Sequence, residues 1–233
     1  MTKYVLANWK SQKTMSEAEA WLEKFCQVYR PHPQVQVIVS PPALYLVTMW
    51  QQLSRYKTGN LVLAAQDLSP FPLGTYTGEI AAEMVRDLVD YVIIGHSERR
   101  RYFHETNQDV ANKISEVKAA GIKPIVCVDL PYARSQIAAF REEDIDETII
   151  GYGPVEAIGI ETAQPLAKTK GAIAEIRDIA PGSPILYGGS INVDNAVDYL
   201  RIPGLAGVMV GTASLDPEEF AVICTEAAKG QTE

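Results

Sequence analysis

Short apolar runs rich in β-branched residues recur along the chain, with helical patterns between them. The runs are Tyr4–Asn8, Val35–Ser40, Leu61–Ala65, Tyr91–Gly95, Pro124–Val128, Thr148–Tyr152, Ile185–Tyr187 and Gly207–Val210. Runs that are apolar throughout, rather than at alternate positions, read as strands buried on both faces. Eight of them alternating with helices predict a parallel sheet, and eight is the number that closes into a (β/α)8 barrel. Local signals mark helix ends. Ser16-Glu17-Ala18-Glu19 reads as a capping box, and Asp216-Pro217-Glu218-Glu219 joins a cap, a first-turn proline and acidic residues at the positive end of the helix dipole. Gly121 reads as the C-terminal stop of the helix before the fifth strand. No linker or low-complexity stretch divides the sequence, so one α/β domain over residues 1–233 is expected.

Composition narrows the class. A length of 233 residues suits a closed barrel, and 47% hydrophobic with 21% charged residues is ordinary for a globular protein with a large core. No apolar run reaches the length of a membrane span, and Met-Thr-Lys-Tyr-Val-Leu-Ala at the start lacks the pattern of a secretory signal. Cys26, Cys127 and Cys224 follow no disulfide or zinc spacing, which points to a reducing cytoplasm and to no metal. A net charge of -8 argues against nucleic acid as a partner. An anionic ligand must then be held by local donors against the field of the whole molecule.

The residues just after barrel strands are where such folds build their sites. Tyr91-Val-Ile-Ile-Gly-His-Ser-Glu-Arg-Arg100 puts an imidazole, His96, between a buried strand and the start of a helix. Of the other two histidines, His32 lies between prolines and His104 in a polar stretch, and both read as structural. The first strand is followed by Asn8-Trp9-Lys10, a neutral donor and a cation. Gly188-Gly189-Ser190 and Gly211-Thr212-Ala213-Ser214 follow strands seven and eight. Glycine-containing loops running into helices on those two strands read as a phosphate cradle of backbone N–H groups.

Together these segments resemble triosephosphate isomerase. Asn-Trp-Lys, the His96 segment, Tyr187-Gly-Gly-Ser-Ile191 and Val210-Gly-Thr-Ala-Ser-Leu215 stand in that family's order and spacing, and the resemblance spans essentially the whole chain. It implies interconversion of dihydroxyacetone phosphate and glyceraldehyde 3-phosphate through an enediolate, a step of glycolysis and gluconeogenesis, with no cofactor. By the same resemblance, Lys10 balances substrate charge and Glu98 orients it. Asn8 and a neutral His96 polarise the carbonyl, and that neutral role is the family's well-known one. Ser190 and the amides of Gly159, Gly189, Gly211 and Thr212 hold phosphate. Leu68–Glu79, which is rich in proline and glycine and carries Phe71 and Tyr76, corresponds to the loop that reaches into the partner of a homodimer.

The chain departs from the family at the base. A Tyr-Glu-Pro-Val-Trp-Ala-Ile-Gly segment is expected after strand six, and Tyr152-Gly-Pro-Val-Glu-Ala-Ile-Gly159 stands there. Gly153 occupies the general-base position without a carboxylate, and Glu156 stands where tryptophan is usual. Downstream, the lid is one residue short and Thr212 replaces a glycine; upstream, Asp129-Leu130 replaces Gly-Glu after the fifth strand. Three readings follow: an isomerase with a base displaced to Glu156 or Glu161, an isomerase weakened at Gly153, or a non-catalytic binder of triose phosphates.

Overall fold

The structure is a computed structural model that describes residues 2–56, 58–140, 142–145, 147–154 and 162–229. Eight strands form one closed, all-parallel barrel: β1 (Lys3–Asn8), β2 (Val35–Ser40), β3 (Leu61–Ala65), β4 (Tyr91–Ile94), β5 (Lys123–Val128), β6 (Ile149–Tyr152), β7 (Ile185–Tyr187) and β8 (Gly207–Val210). Pairing of β1 with both β2 and β8 closes the ring, so no sheet edge is left open. The expected strands match to within one residue at either end.

Apolar runs without alternation are required because both faces of every strand are covered. One face packs into the lumen, where Leu6, Ile38, Ala64, Ile93, Ile125, Cys127, Ile149 and Leu186 form a small core. The other faces the helices through residues such as Val5, Val37, Leu63, Val92, Val126, Ile150 and Val208. With a side-chain period of two, the lumenal column of each strand continues into the residues just beyond it. Asn8 and Ser40 end their strands in that column, and Asp129, Gly153, Gly188 and Gly211 continue it beyond theirs.

The helix Met15–Val28 corrects one expectation. Its capping box is built by Thr14 and Glu17, not by the tetrad from Ser16: the Glu17 amide donates to Thr14 Oγ1 at 3.4 Å and the Thr14 amide to Glu17 Oε2 at 2.6 Å. Ser16 lies two residues inside, where its hydroxyl is too late to cap the first turn. The helix buries Ala18, Trp21, Leu22 and Phe25, and the last helix, Pro217–Lys229, buries Phe220 against Trp21 and Phe25. Emptying such a site by Phe→Ala costs about 3–5 kcal/mol. Asp216 caps Pro217–Lys229 as its sequence indicates, with Oδ1 accepting from the amides of Glu218 and Glu219 at 2.8 and 3.0 Å. Gly121 ends the helix Asn107–Ala119 with φ +78°, a conformation that suits glycine there.

Candidate active site

Asn8-Trp9-Lys10 leaves β1 on the rim where all eight strands end. Lys10 has φ +52°, outside the regions a lysine normally occupies. Three hydrogen bonds surround this turn. The Lys10 amide donates to Asn8 Oδ1 at 3.1 Å, and Gln66 Nε2 donates to Lys10 O at 2.8 Å and to Ser40 O at 3.0 Å. Gln66 directly follows β3, so three neighbouring strand ends clamp one strained residue. Strain of this kind is stored where the surroundings over-determine it.

The Lys10 ammonium meets Glu98 Oε1 at 2.6 Å. Glu98 lies in the first turn of the helix Ser97–Tyr102, whose N-cap is His96. The Glu98 amide donates to His96 Nδ1 at 3.3 Å, which makes Nδ1 an acceptor and leaves the ring proton on Nε2. Glu98 Oε2 lies 3.5 Å from the same nitrogen. That approach would suit an imidazolium, but Nδ1 is already occupied by the amide, and burial lowers the basicity of the ring more than Glu98 raises it. A neutral His96 is the state the surroundings favour. Gly95 turns the chain before it with φ +70°, where a Cβ would also meet Arg100 Nη2 at 2.8 Å.

Beneath this helix lies a buried ionic cluster. Lys113 Nζ contacts Glu105 and reaches Asp67 Oδ1 at 2.6 Å, and Arg99 Nη2 reaches Asp67 Oδ2 at 2.8 Å. Removing one member of a buried pair costs about 3–5 kcal/mol, because the other charge stays behind without its partner. The cluster braces the segment from His96 to Glu105 against the helix Asn107–Ala119.

Ser190 has φ +50°, and Asn195 Nδ2 holds its carbonyl at 2.9 Å. Gly211 precedes a 3-10 turn, Thr212–Leu215, and a Cβ on Gly211 would meet nothing within 4 Å. Its lumenal side is therefore open, as a backbone cradle requires. A small cleft lies among His96, Ser97, Arg100, Asp129, Gly153 and Gly188. Met209 forms part of its wall, and Cys127, whose thiol burial pushes up to about 12, stays protonated beside it. An ammonium and a neutral imidazole donor on one rim can polarise a carbonyl and hold the oxyanion that forms from it.

A sequence profile of triosephosphate isomerase matches residues 3–227. Triosephosphate isomerase of Dehalococcoides mccartyi is 37% identical over 96% of both chains. That of Mesomycoplasma hyopneumoniae is 34% identical over 96% of this chain and 98% of its own, and that of Streptococcus thermophilus is 31% identical over 94% and 96%. The chain belongs to the triosephosphate isomerase family.

Within that family frame, Asn8, Lys10, His96, Glu98, Gly153, Gly189, Ser190, Gly211 and Thr212 all stand at strand ends on the same rim. Glu156, Gly159 and Glu161 lie outside the described residues. His104 is exposed, and His32 lies just before β2, at the end of the strands opposite this rim. Four further groups were not singled out from the sequence as part of the site: Gln66, Asp67, Lys113 and Arg100. Gln66 and Asp67 follow β3, a strand end that carries no motif of its own. Lys113 did leave a signal, because it shares the buried face of its helix with Val110, Ile114 and Val117. Among the described residues no His, Cys, Asp and Glu cluster could hold a metal, and no helix is long and apolar enough to cross a membrane.

Proposed function

We propose that this protein is an aldose–ketose isomerase for dihydroxyacetone phosphate and glyceraldehyde 3-phosphate, slowed by the absence of a carboxylate at Gly153. One observation carries the reading: His96 presents Nε2–H as a neutral donor while Glu98 holds the ammonium of Lys10 beside it. A ligand site without chemistry gains little from a histidine kept neutral, whereas enolisation needs an acid whose strength matches the proton it exchanges.

In this reading the triose phosphate anchors on the amides of Gly189, Gly211 and Thr212 and on Ser190, with Gly159 as a further donor. Lys10 offsets its charge. Asn8 and His96 donate to the two oxygens between which the carbonyl moves. Proton abstraction from carbon is the step left under-served, and loss of a positioned base typically costs ~10²–10⁴-fold. In one form of this reading Glu156 or Glu161 supplies the displaced base. The protein works in the cytoplasm as a homodimer, joined through Leu68–Glu79. The empty base position favours one alternative, a triose-phosphate binder without turnover.

Isomerisation rates of the wild type and Gly153→Glu test the reading together with calorimetry of phosphoglycolate. Tight binding, measurable turnover and a gain of ~10²-fold or more on restoring the carboxylate are expected. Tight binding without turnover in either protein would favour the binder.

A further inference from the structure

Two departures from the family pattern stand side by side in the barrel. Gly153 replaces the glutamate after β6, and Asp129 replaces a glycine after β5. Val128 and Tyr152 are register partners, and the Gly153 amide donates to Val128 O at 3.3 Å, so Asp129 and Gly153 leave adjacent strands at the same height. Neighbouring strands run about 4.8 Å apart. Both residues continue lumenal columns, Asp129 above Ile125 and Cys127, Gly153 above Ile149 and Gly151. Both line the pocket that also contains His96. One strand has lost a carboxylate over this pocket and its neighbour has gained one.

The new carboxylate is held. Gln136 Nε2 donates to Asp129 Oδ1 at 3.3 Å while Gln136 Oε1 accepts from the Asp129 amide at 3.0 Å. Arg100 lines the same wall. Its Nε donates to Gly95 O and its Nη1 to Asn107 Oδ1, leaving Nη2 buried without a hydrogen-bond partner. A guanidinium facing this pocket favours an ionised carboxylate within it. Burial acts the other way and raises the carboxyl above its ordinary value, which makes Asp129 a stronger base than a solvated aspartate.

We propose that Asp129 is a catalytic residue, the proton acceptor that serves this site in place of the carboxylate missing at Gly153; the proposal rests on the isomerase reading. The carboxylate takes a proton from C1 of dihydroxyacetone phosphate, and the C–H electron pair becomes the C1–C2 double bond. The carbonyl pair moves onto the C2 oxygen, where His96 Nε2–H donates. That oxygen takes the imidazole proton, and the proton of the C1 hydroxyl replaces it on the ring. The proton on Asp129 then goes to C2 as C1 becomes the aldehyde, and the aspartate and histidine end as they began. No lid carboxylate is needed in this cycle.

Asp129→Asn preserves size and can keep the Gln136 bonds. Deuterium incorporation from D₂O into dihydroxyacetone phosphate, measured beside phosphoglycolate affinity, should fall at least about 100-fold with affinity changed less than about threefold. The double variant Asp129→Asn/Gly153→Glu, with its carboxylate moved to the next strand, should regain exchange. Exchange that persists in Asp129→Asn overturns the assignment and leaves the isomerase reading standing. A wild type that binds phosphoglycolate without any exchange overturns both. Should Asp129→Asn lose affinity as well, the double variant decides: binding with exchange supports the assignment, and failure to exchange overturns it.

Discussion

Lys10 Nζ and Glu98 Oε1 lie 2.6 Å apart although 88 residues separate them in the chain. The contact joins the end of β1 to the helix after β4 and fixes the direction of the ammonium at the mouth of the barrel. Both side chains remain about one-third exposed. The pair therefore contributes more by orienting charge than by stabilising the fold.

Replacing that ammonium tests its part in anion binding. A hydrogen bond to a charged group contributes about 1.5–3 kcal/mol, so Lys10→Met should weaken phosphoglycolate binding by about 10–100-fold in calorimetry. The melting temperature should move little. Undiminished affinity would mean that the cradle after β7 and β8 holds the ligand alone.

Gln66 carries a second expectation. Its amide serves Lys10 O and Ser40 O together; without it Ser40 O keeps the Trp9 amide at 3.2 Å, whereas Lys10 O loses its donor, and a partly buried carbonyl left so costs about 1–3 kcal/mol. Gln66→Ala should lower stability by that amount in urea unfolding and should also loosen ligand binding, since the strained turn at Lys10 loses its clamp. A variant as stable as the wild type would show that water replaces the amide without cost.

His96 sets a pH dependence whose sign follows from burial. The folded ring is less basic than the unfolded value of about 6.5, so the unfolded chain binds the proton more readily. This contribution to stability is complete above about pH 6.5 and is lost as the pH falls from there through the folded value. Nitrogen NMR should find a neutral ring protonated at Nε2 at pH 6.5 and above. A ring already charged at pH 6.5 would contradict the account.

Association is expected through the loop after β3. Phe71 and Tyr76 are each 41% exposed, with rings stacked 4.5 Å apart, and Leu73 between them is 57% exposed. Aromatic residues presented together on a projecting loop are typical anchors of an interface. Sedimentation should find a dimer at micromolar concentration, and Tyr76→Lys should shift it toward monomer. A wild-type monomer at that concentration would reject the interface.

Much of this was legible in the sequence, for physical reasons. Strands buried on both faces appear as unbroken apolar runs, so Val35–Ser40, Leu61–Ala65 and Ile185–Tyr187 were located to the residue. Asn8, Lys10 and His96 stood out because polar groups follow those runs directly. The cap at Thr14 was missed because Ser16 offers the same chemistry two positions later, and only the backbone decides between them. Gln66 and Lys113 matter through partners far away in the chain, Lys10 and Asp67, and no local pattern announces such contacts. Asp129 was visible as a departure from the family, but its neighbourhood with Gly153 emerges only from the register of β5 against β6.

Solvent-deuterium exchange into dihydroxyacetone phosphate, catalysed by the unmodified chain, tests the central claim most directly. It registers proton abstraction at C1 whether or not the triose goes on to isomerise. The account predicts enzyme-dependent incorporation of a single deuterium at C1, abolished by saturating phosphoglycolate. Exchange no faster than in buffer, from a protein that binds phosphoglycolate tightly, would contradict it.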